Sequence, residues 1–139
     1  MDLSNVFSSL NYWAILVAAL STFVVGGLWY SPFLFGKKWM ELNGFTKEDT
    51  KKGLPMTVVF GGSFVTALLA AFALGMFLGS SATLTFGMFA GFMIAVFWIS
   101  TARFSNVLFE QGKLALFFIH AGYDLVSYLV MGAIIGAWH

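Results

Sequence analysis

The chain has 139 residues, of which 60% are hydrophobic and 9% charged, and its formal net charge is +1. Soluble domains usually carry about 25% charged residues, and a chain this short cannot bury so much apolar surface in one core, so lipid is the expected solvent. The small net charge argues against a nucleic-acid partner, and the absence of cysteine excludes disulfides, thiolate metal sites and cysteine catalysis.

The sequence contains four apolar segments, each long enough to cross a membrane as an α-helix. They lie at about residues 12–30, 56–78, 84–102 and 114–138, and the third helix is expected to continue beyond its apolar segment, over residues 84–109. The chain starts without the positive region and the small-residue cleavage pattern of a signal peptide, so the first segment is expected to be retained. These features predict an all-α membrane protein in which residues 1–139 form one four-transmembrane-helix bundle.

The long polar connection after the first segment begins with aromatic residues and a proline. Trp29 and Tyr30 are residue types typical of the membrane–water interface, and Pro32 disfavours helix at Ser31. Residues 33–43 then set aromatic and aliphatic side chains against charged ones. This pattern predicts a short amphipathic helix that lies in the headgroup plane between helices 1 and 2.

Positive residues mark the first and third connections between the predicted spans. The third connection is bounded by Arg103 and Lys113, whereas the second, residues 79–83, carries no charge. Cytoplasmic loops carry an excess of Lys and Arg, which places the first and third connections in the cytoplasm and both termini outside. The first connection contributes Lys37, Lys38, Lys47, Lys51 and Lys52.

Each predicted span carries small residues at four-residue intervals. Such a repeat stays on one helix face and lets helix backbones approach closely in a membrane. We expect these faces to pack against protein, either within the chain or in a second copy, and the ladders favour a homo-oligomer. The alternative is the general abundance of Ala and Gly in membrane helices. The ladders are Ala14, Ala18, Thr22, Gly26; Ser63, Ala67, Ala71, Gly75, Gly79; Gly87, Gly91, Ala95; and Gly132, Gly136.

The fourth segment carries charge into the membrane. His120 and Asp124 are four residues apart and so share one helix face, with Asp124 near the middle of the segment. An ionised Asp at that depth costs roughly 2.5–3.5 kcal/mol on insertion scales, so it should face protein or water and have a partner. In a hairpin that turns near Gln111, Arg103 comes within reach of Asp124. The candidate polar intramembrane site comprises Arg103, His120, Asp124, Ser127 and Tyr128.

This polar site has two interpretations. In the first, it relays protons or holds the polar head of a solute, as His and carboxylate chains do in transporters. In the second, it is structural: His120 and Asp124 bond one another, and Arg103 sits among the headgroups. Two ligands fall short of the three protein ligands that catalytic zinc usually has, so no metal is expected.

No catalytic motif is found in the sequence, so we expect no enzyme, no catalytic residue and no cofactor. The best hypothesis is a small oligomeric transporter or channel-like protein with its polar site on helices 3 and 4. The alternative is a structural or assembly subunit that binds a partner protein or lipid. The expected partners are the lipid bilayer, further copies of the chain, and a small solute, an ion or a lipid.

The first connection also carries a specific motif, WYSPxxFGxxW, which we term the elbow. It comprises Trp29, Tyr30, Ser31, Pro32, Phe35, Gly36 and Trp39. The motif resembles the signature of domain-of-unknown-function family 1761, small bacterial membrane proteins, and the run GAIIGAW at 132–138 is similar to that family's ending. The resemblance implies a four-helix protein of the bacterial inner membrane without an assigned activity. It also implies that the elbow does more than anchor the chain at the interface.

Overall fold

A computed structural model of the chain describes residues 2–44 and 54–138. These two ranges form six helices and contain no strand, which confirms the predicted all-α class. Four of the helices are long and apolar enough to cross a membrane, as predicted. Lys47, Lys51 and Lys52 lie outside the described residues. The helices are α1 (Leu3–Ser9), α2 (Tyr12–Trp29), α3 (Gly36–Asn43), α4 (Met56–Leu78), α5 (Leu84–Glu110) and α6 (Leu114–Ala137).

Helix α1 precedes the first span and has no counterpart in the sequence predictions. Asp2 caps it by accepting hydrogen bonds from the backbone N–H and the hydroxyl of Ser4, at 3.1 and 2.7 Å. The side-chain hydrogen bond from Ser4, followed by the backbone one, lowers the pKa of Asp2 below its usual value. A single capping residue thus defines the start of this short helix.

Helix α3 is the short helix predicted between the first two spans. It begins at Gly36 rather than at residue 33, because the preceding residues form turns that use their own backbone hydrogen bonds. The N–H groups of Leu34 and Gly36 both donate to the carbonyl of Ser31, at 3.1 and 2.9 Å. The helix ends at Gly44, whose positive φ of 69° is a conformation that glycine adopts without strain.

The two ends of the bundle differ in charge. At one end, the Lys113 ammonium donates to the carbonyl of Leu42 at 2.5 Å, which joins α3 to the start of α6. We call this the basic end. At the other, the terminal end, the side-chain nitrogen of Asn11 lies 3.5 Å from the carbonyl oxygen of Trp138. The first span therefore begins where the last span ends, as an even number of spans requires.

Helix α6 is the central helix of the bundle and packs against α5, α2 and α4. The apolar core lies in the terminal half, where α2, α4 and α6 meet. There the small side chains of Ala18 and Ala71 are fully buried and allow close packing around Leu74 and Met131. The buried residues of α6 are Ile119, Asp124, Ser127, Met131, Gly132, Ile135 and Gly136.

Helices α5 and α6 touch through their glycine ladders. A Cβ added at Gly87 would collide with the carbonyl of Gly132, and one added at Gly91 would collide with the carbonyl of Tyr128. These pairs lie close to the register expected for a hairpin that turns near Gln111. The two ladders therefore pack against each other within one chain, as small residues do between membrane helices.

Helix α5 is interrupted by a π-helical segment at Ile94–Ser100. Such a segment absorbs one extra residue in one widened turn, so that the α-helix beyond it keeps its register with the α-helix before it. The helix then continues as α-helix to Glu110, and Gln111 ends it with a positive φ of 54°. Arg103 lies just beyond the π-helical segment.

Candidate functional site

Asp124 is buried in the bundle and bonded to a cation from a neighbouring helix. Its residue exposure is 6%, and its carboxylate oxygens lie 2.5 Å from Nε and 3.3 Å from Nη2 of Arg103. The two contacts use the fork of the guanidinium, which matches the geometry of a carboxylate. The side chain of Arg103 is 43% exposed and that of Asp124 is 8% exposed, so the anion is the more deeply buried partner of the pair. The structure thus brings together the two charged residues of the candidate site.

His120 has a different partner from the one proposed in the structural interpretation. Its Nδ1 lies 2.6 Å from the hydroxyl of Tyr30 at the end of α2, whereas Asp124 is bonded to Arg103. The ring of Tyr30 also lies 5.4 Å from that of Tyr123 and meets Trp39 edge-on at 5.9 Å, centroid to centroid. His120 therefore adjoins, through Tyr30, an aromatic cluster at the basic end.

The elbow joins α2 and α3 to the central helix. The indole Nε1 of Trp29 donates to the carbonyl of Ile119 at 2.8 Å, and the ring of Trp29 packs on Phe35 with centroids 4.8 Å apart. This contact positions the next residue, Tyr30, beside His120. The amphipathic pattern alone indicated interface anchors at these positions. The additional role was implied by the family resemblance that the motif carries.

A cleft of about 810 Å³ lies between α2, α4 and α6 in the basic half of the bundle. Small residues pack α2 against α4 in the terminal half, whereas in the basic half the two helices meet through larger side chains, with the ring centroid of Phe23 6.3 Å from those of Phe60 and Phe64. The walls of the cleft are mainly apolar. Its polar lining includes Thr22, Tyr30, Ser63, Thr66, Asp124 and Ser127.

Four of the five predicted site residues line this cleft, and the fifth, Arg103, lies outside its lining. The four on α6 share the face that forms one wall, as their helical spacing predicted. Arg103 approaches the carboxylate of Asp124 from α5 and is not part of the cleft lining. The four lining residues are His120, Asp124, Ser127 and Tyr128.

Ser127 carries the buried side-chain oxygen that lacks a hydrogen-bond partner among the described residues. A buried hydroxyl without a partner is costly, and several other polar groups of the cleft already have hydrogen-bond partners. Tyr123, for example, donates its hydroxyl to the carbonyl of Thr22 at 3.3 Å. Within the described ranges, no three His, Asp or Glu side chains converge, so no residues can be assigned as metal ligands.

Four apolar helices of membrane-crossing length around a buried ion pair define this chain as a polytopic α-helical membrane protein. Over residues 13–136 the sequence matches the family described as protein of unknown function (DUF1761), and the chain belongs to that family. The resemblance carried by the elbow motif is thereby confirmed. A comparison of the chain with curated proteins and with solved structures finds no match.

Proposed function

We propose that the protein is a small transporter of the bacterial inner membrane that holds a solute in the cleft beside Asp124. The observation that carries this proposal is the cleft itself, which extends from Tyr30 at the basic end to Met131 deep in the bundle. Its volume is within the range of about 300–1,000 Å³ that is usual for small-molecule sites. In this proposal the basic end faces the cytoplasm, and both termini lie outside.

The position of Asp124 favours transport over a purely structural ion pair. A structural pair would be enclosed by packing on all sides, whereas this carboxylate forms part of a cavity wall. The terminal half of the bundle closes the far end of the cleft with the buried side chains of Ala18, Leu74 and Met131. A cavity closed toward one side of the membrane corresponds to one of the two states that alternating access requires.

A structural or assembly role is the second candidate function. It is favoured by the exposed face of α4, where a Cβ added at Gly61 or Gly62 would meet nothing within 4 Å. Another helix could approach the backbone closely at these glycines. That helix would come from a partner protein or, in a homo-oligomer, from a second copy of the chain.

Single cysteine variants can separate the two functions, because the chain has no cysteine of its own. Thr66→Cys places a thiol on the cleft wall, and Val65→Cys places one at nearly the same depth outside the cleft. Only a hydrated thiolate reacts with a charged methanethiosulfonate reagent that cannot cross the membrane. We expect the Thr66→Cys thiol to react at least about tenfold faster than the Val65→Cys thiol when the reagent is on the basic side.

The side from which the reagent arrives decides between transport and binding alone. A transporter predicts that the Thr66→Cys thiol is also modified from the terminal side, in vesicles of the opposite orientation. Modification from the basic side only contradicts transport and favours a binding or assembly role. Equal, slow modification of both variants contradicts a water-filled cleft and thereby the proposed function.

A further inference from the structure

We propose that the cleft binds a lipophilic organic cation, with its positive centre beside Asp124 and its apolar body between α2 and α4. This inference names the class of solute and rests on the proposed function in taking the cleft as the solute site. Three independent features of the lining support it: its charge, the direction of its hydroxyl groups and its aromatic rings.

The first feature is charge. Among the described side chains that line the cleft, Asp124 is the one carboxylate, and neither Lys nor Arg contributes. Arg103 reaches Asp124 from behind, and its second contact, Nη2 to Oδ1, is the longer one at 3.3 Å. A carboxylate offers about four acceptor positions, so a cation in the cleft can share Asp124 with Arg103. An anionic solute would meet no opposing charge among these residues.

The second feature is the direction of the hydroxyl groups. Those of Thr22, Ser63 and Thr66 donate to carbonyls of their own helices, at 2.7, 2.7 and 2.9 Å. Their hydrogens are therefore used, and the hydroxyls can offer oxygen lone pairs to a bound solute. Ser127 adds a buried hydroxyl with no partner among the described residues. A lining rich in acceptors suits a cationic or donor group better than a carboxylate.

The third feature is the aromatic lining of the cleft mouth. The rings of Tyr30, Trp39 and Tyr123 cluster there, with Tyr30 5.9 Å from Trp39 and 5.4 Å from Tyr123. The face of an aromatic ring attracts a cation, and the attraction increases as water is excluded. Phe23 and Phe60 extend this lining toward the lipid. The body of such a cation would thus contact rings at the mouth and along the walls.

The test measures the binding of radiolabelled tetraphenylphosphonium to the full chain in lipid nanodiscs. Tetraphenylborate serves as the anion of the same shape, and empty nanodiscs give the background. We expect saturable binding of the phosphonium and none of the borate. No saturable phosphonium binding above background, or equal binding of the borate, overturns the proposal.

Two leucine variants locate the binding without changing any charge. Gly27 lines the cleft, and a Cβ there meets nothing within 4 Å, so Gly27→Leu should fill the cleft without a clash. Gly61→Leu is the matched control, since Gly61 is equally open but is not part of the cleft lining. We expect Gly27→Leu to weaken phosphonium binding by at least about tenfold and Gly61→Leu to leave it unchanged. Equal affinity in the two variants overturns the assignment to the cleft.

Two further variants test the charge. Asp124→Asn should weaken phosphonium binding by at least about tenfold, because the cation loses its counter-charge. Arg103→Gln should strengthen it by about threefold or more, because a competing cation is removed. Weaker binding in a folded Arg103→Gln variant contradicts the proposal. The two proposals can fail separately. If the Thr66→Cys thiol is modified from both sides of the membrane but no phosphonium binds, the proposal of transport is supported and the proposal of a cationic solute is wrong.

Discussion

Gly36 is the residue that allows the elbow to turn. A Cβ at this position would lie 2.7 Å from the carbonyl carbon of Ser31 and closer still to the carbonyl oxygen of Tyr30. Both atoms belong to the backbone and cannot move aside as a flexible side chain can. The same turn carries Trp29 to Ile119 and Tyr30 to His120. The contact between α2 and α6 at the basic end therefore depends on a missing side chain in α3.

Gly36→Ala is expected to destabilise the protein. Overpacking against fixed atoms costs about 1–3 kcal/mol, and we expect a lower midpoint of thermal unfolding in detergent. Gly27→Ala is the control, because its Cβ meets nothing within 4 Å and Ala is favoured over Gly in a helix by about 0.5–1 kcal/mol. Tryptophan fluorescence measures the unfolding of both variants. Equal midpoints of thermal unfolding for Gly36→Ala and Gly27→Ala would contradict the role given to Gly36.

The charged residues show what the sequence can predict at this scale. The cost of a carboxylate in lipid predicted that Asp124 has a partner, and the length of the Arg103 side chain made that partner plausible across about one helical turn. The partner of His120 could not be predicted. Tyr30 is 90 residues away in the chain and reaches His120 only because α2 packs on α6.

Among the helices, α5 makes two contacts with α6, one on each side of its π-helical segment. Before the segment, Gly87 and Gly91 fix the contact with α6. Beyond the segment, Arg103 must point at Asp124, which also lies on α6. In a regular α-helix one added residue would rotate the side chains beyond it by about 100°, whereas the π-helical segment at Ile94–Ser100 absorbs the extra residue, so Arg103 still points at Asp124.

Deleting one exposed residue from the π-helical segment should restore a regular α-helix. We expect deletion of Trp98, which is 64% exposed, to preserve both the glycine contact and the ion pair and to leave the unfolding midpoint near that of the natural chain. Deletion of Phe89, 56% exposed, is the control, because it lies between the two glycines and shifts their register. Loss of folded protein in both deletions to the same degree would contradict this account.

The sequence predicted the spanning helices, but it did not predict the cleft between them or the π-helical segment within α5. Composition and length predict the spans, and small residues at four-residue intervals predict the faces that pack. The π-helical segment and the cleft depend on helix angles and local strain, for which one sequence carries no signal. Most of the small residues in the ladders pack against other helices of the same chain. Ser63 is an exception, because it is exposed on the cleft side of α4. Since packing within one chain accounts for most of the ladders, the homo-oligomer stays a prediction.

At the scale of the whole molecule, the cationic side chains are distributed unevenly. All seven Lys and Arg residues fall between residues 37 and 113, in or beside the first and third connections. In the described ranges, Lys113 is bonded to α3, so these two connections meet at the basic end. The terminal end carries Asp2, the start of α2 and the end of α6. The charge difference between the ends supplies the signal by which membrane insertion fixes orientation.

The orientation predicted from this distribution can be measured with reporters. We expect a green fluorescent protein fused to the C-terminus to be dark and an alkaline phosphatase at the same position to be active, because positive loops stay in the cytoplasm. A fluorescent protein inserted after Gly44, at the basic end, is the matched control and should be bright. Adding lysines to the uncharged turn at residues 79–83 should raise the inverted fraction. A bright C-terminal fusion would place the cleft mouth outside the cell and reverse the direction from which the solute enters.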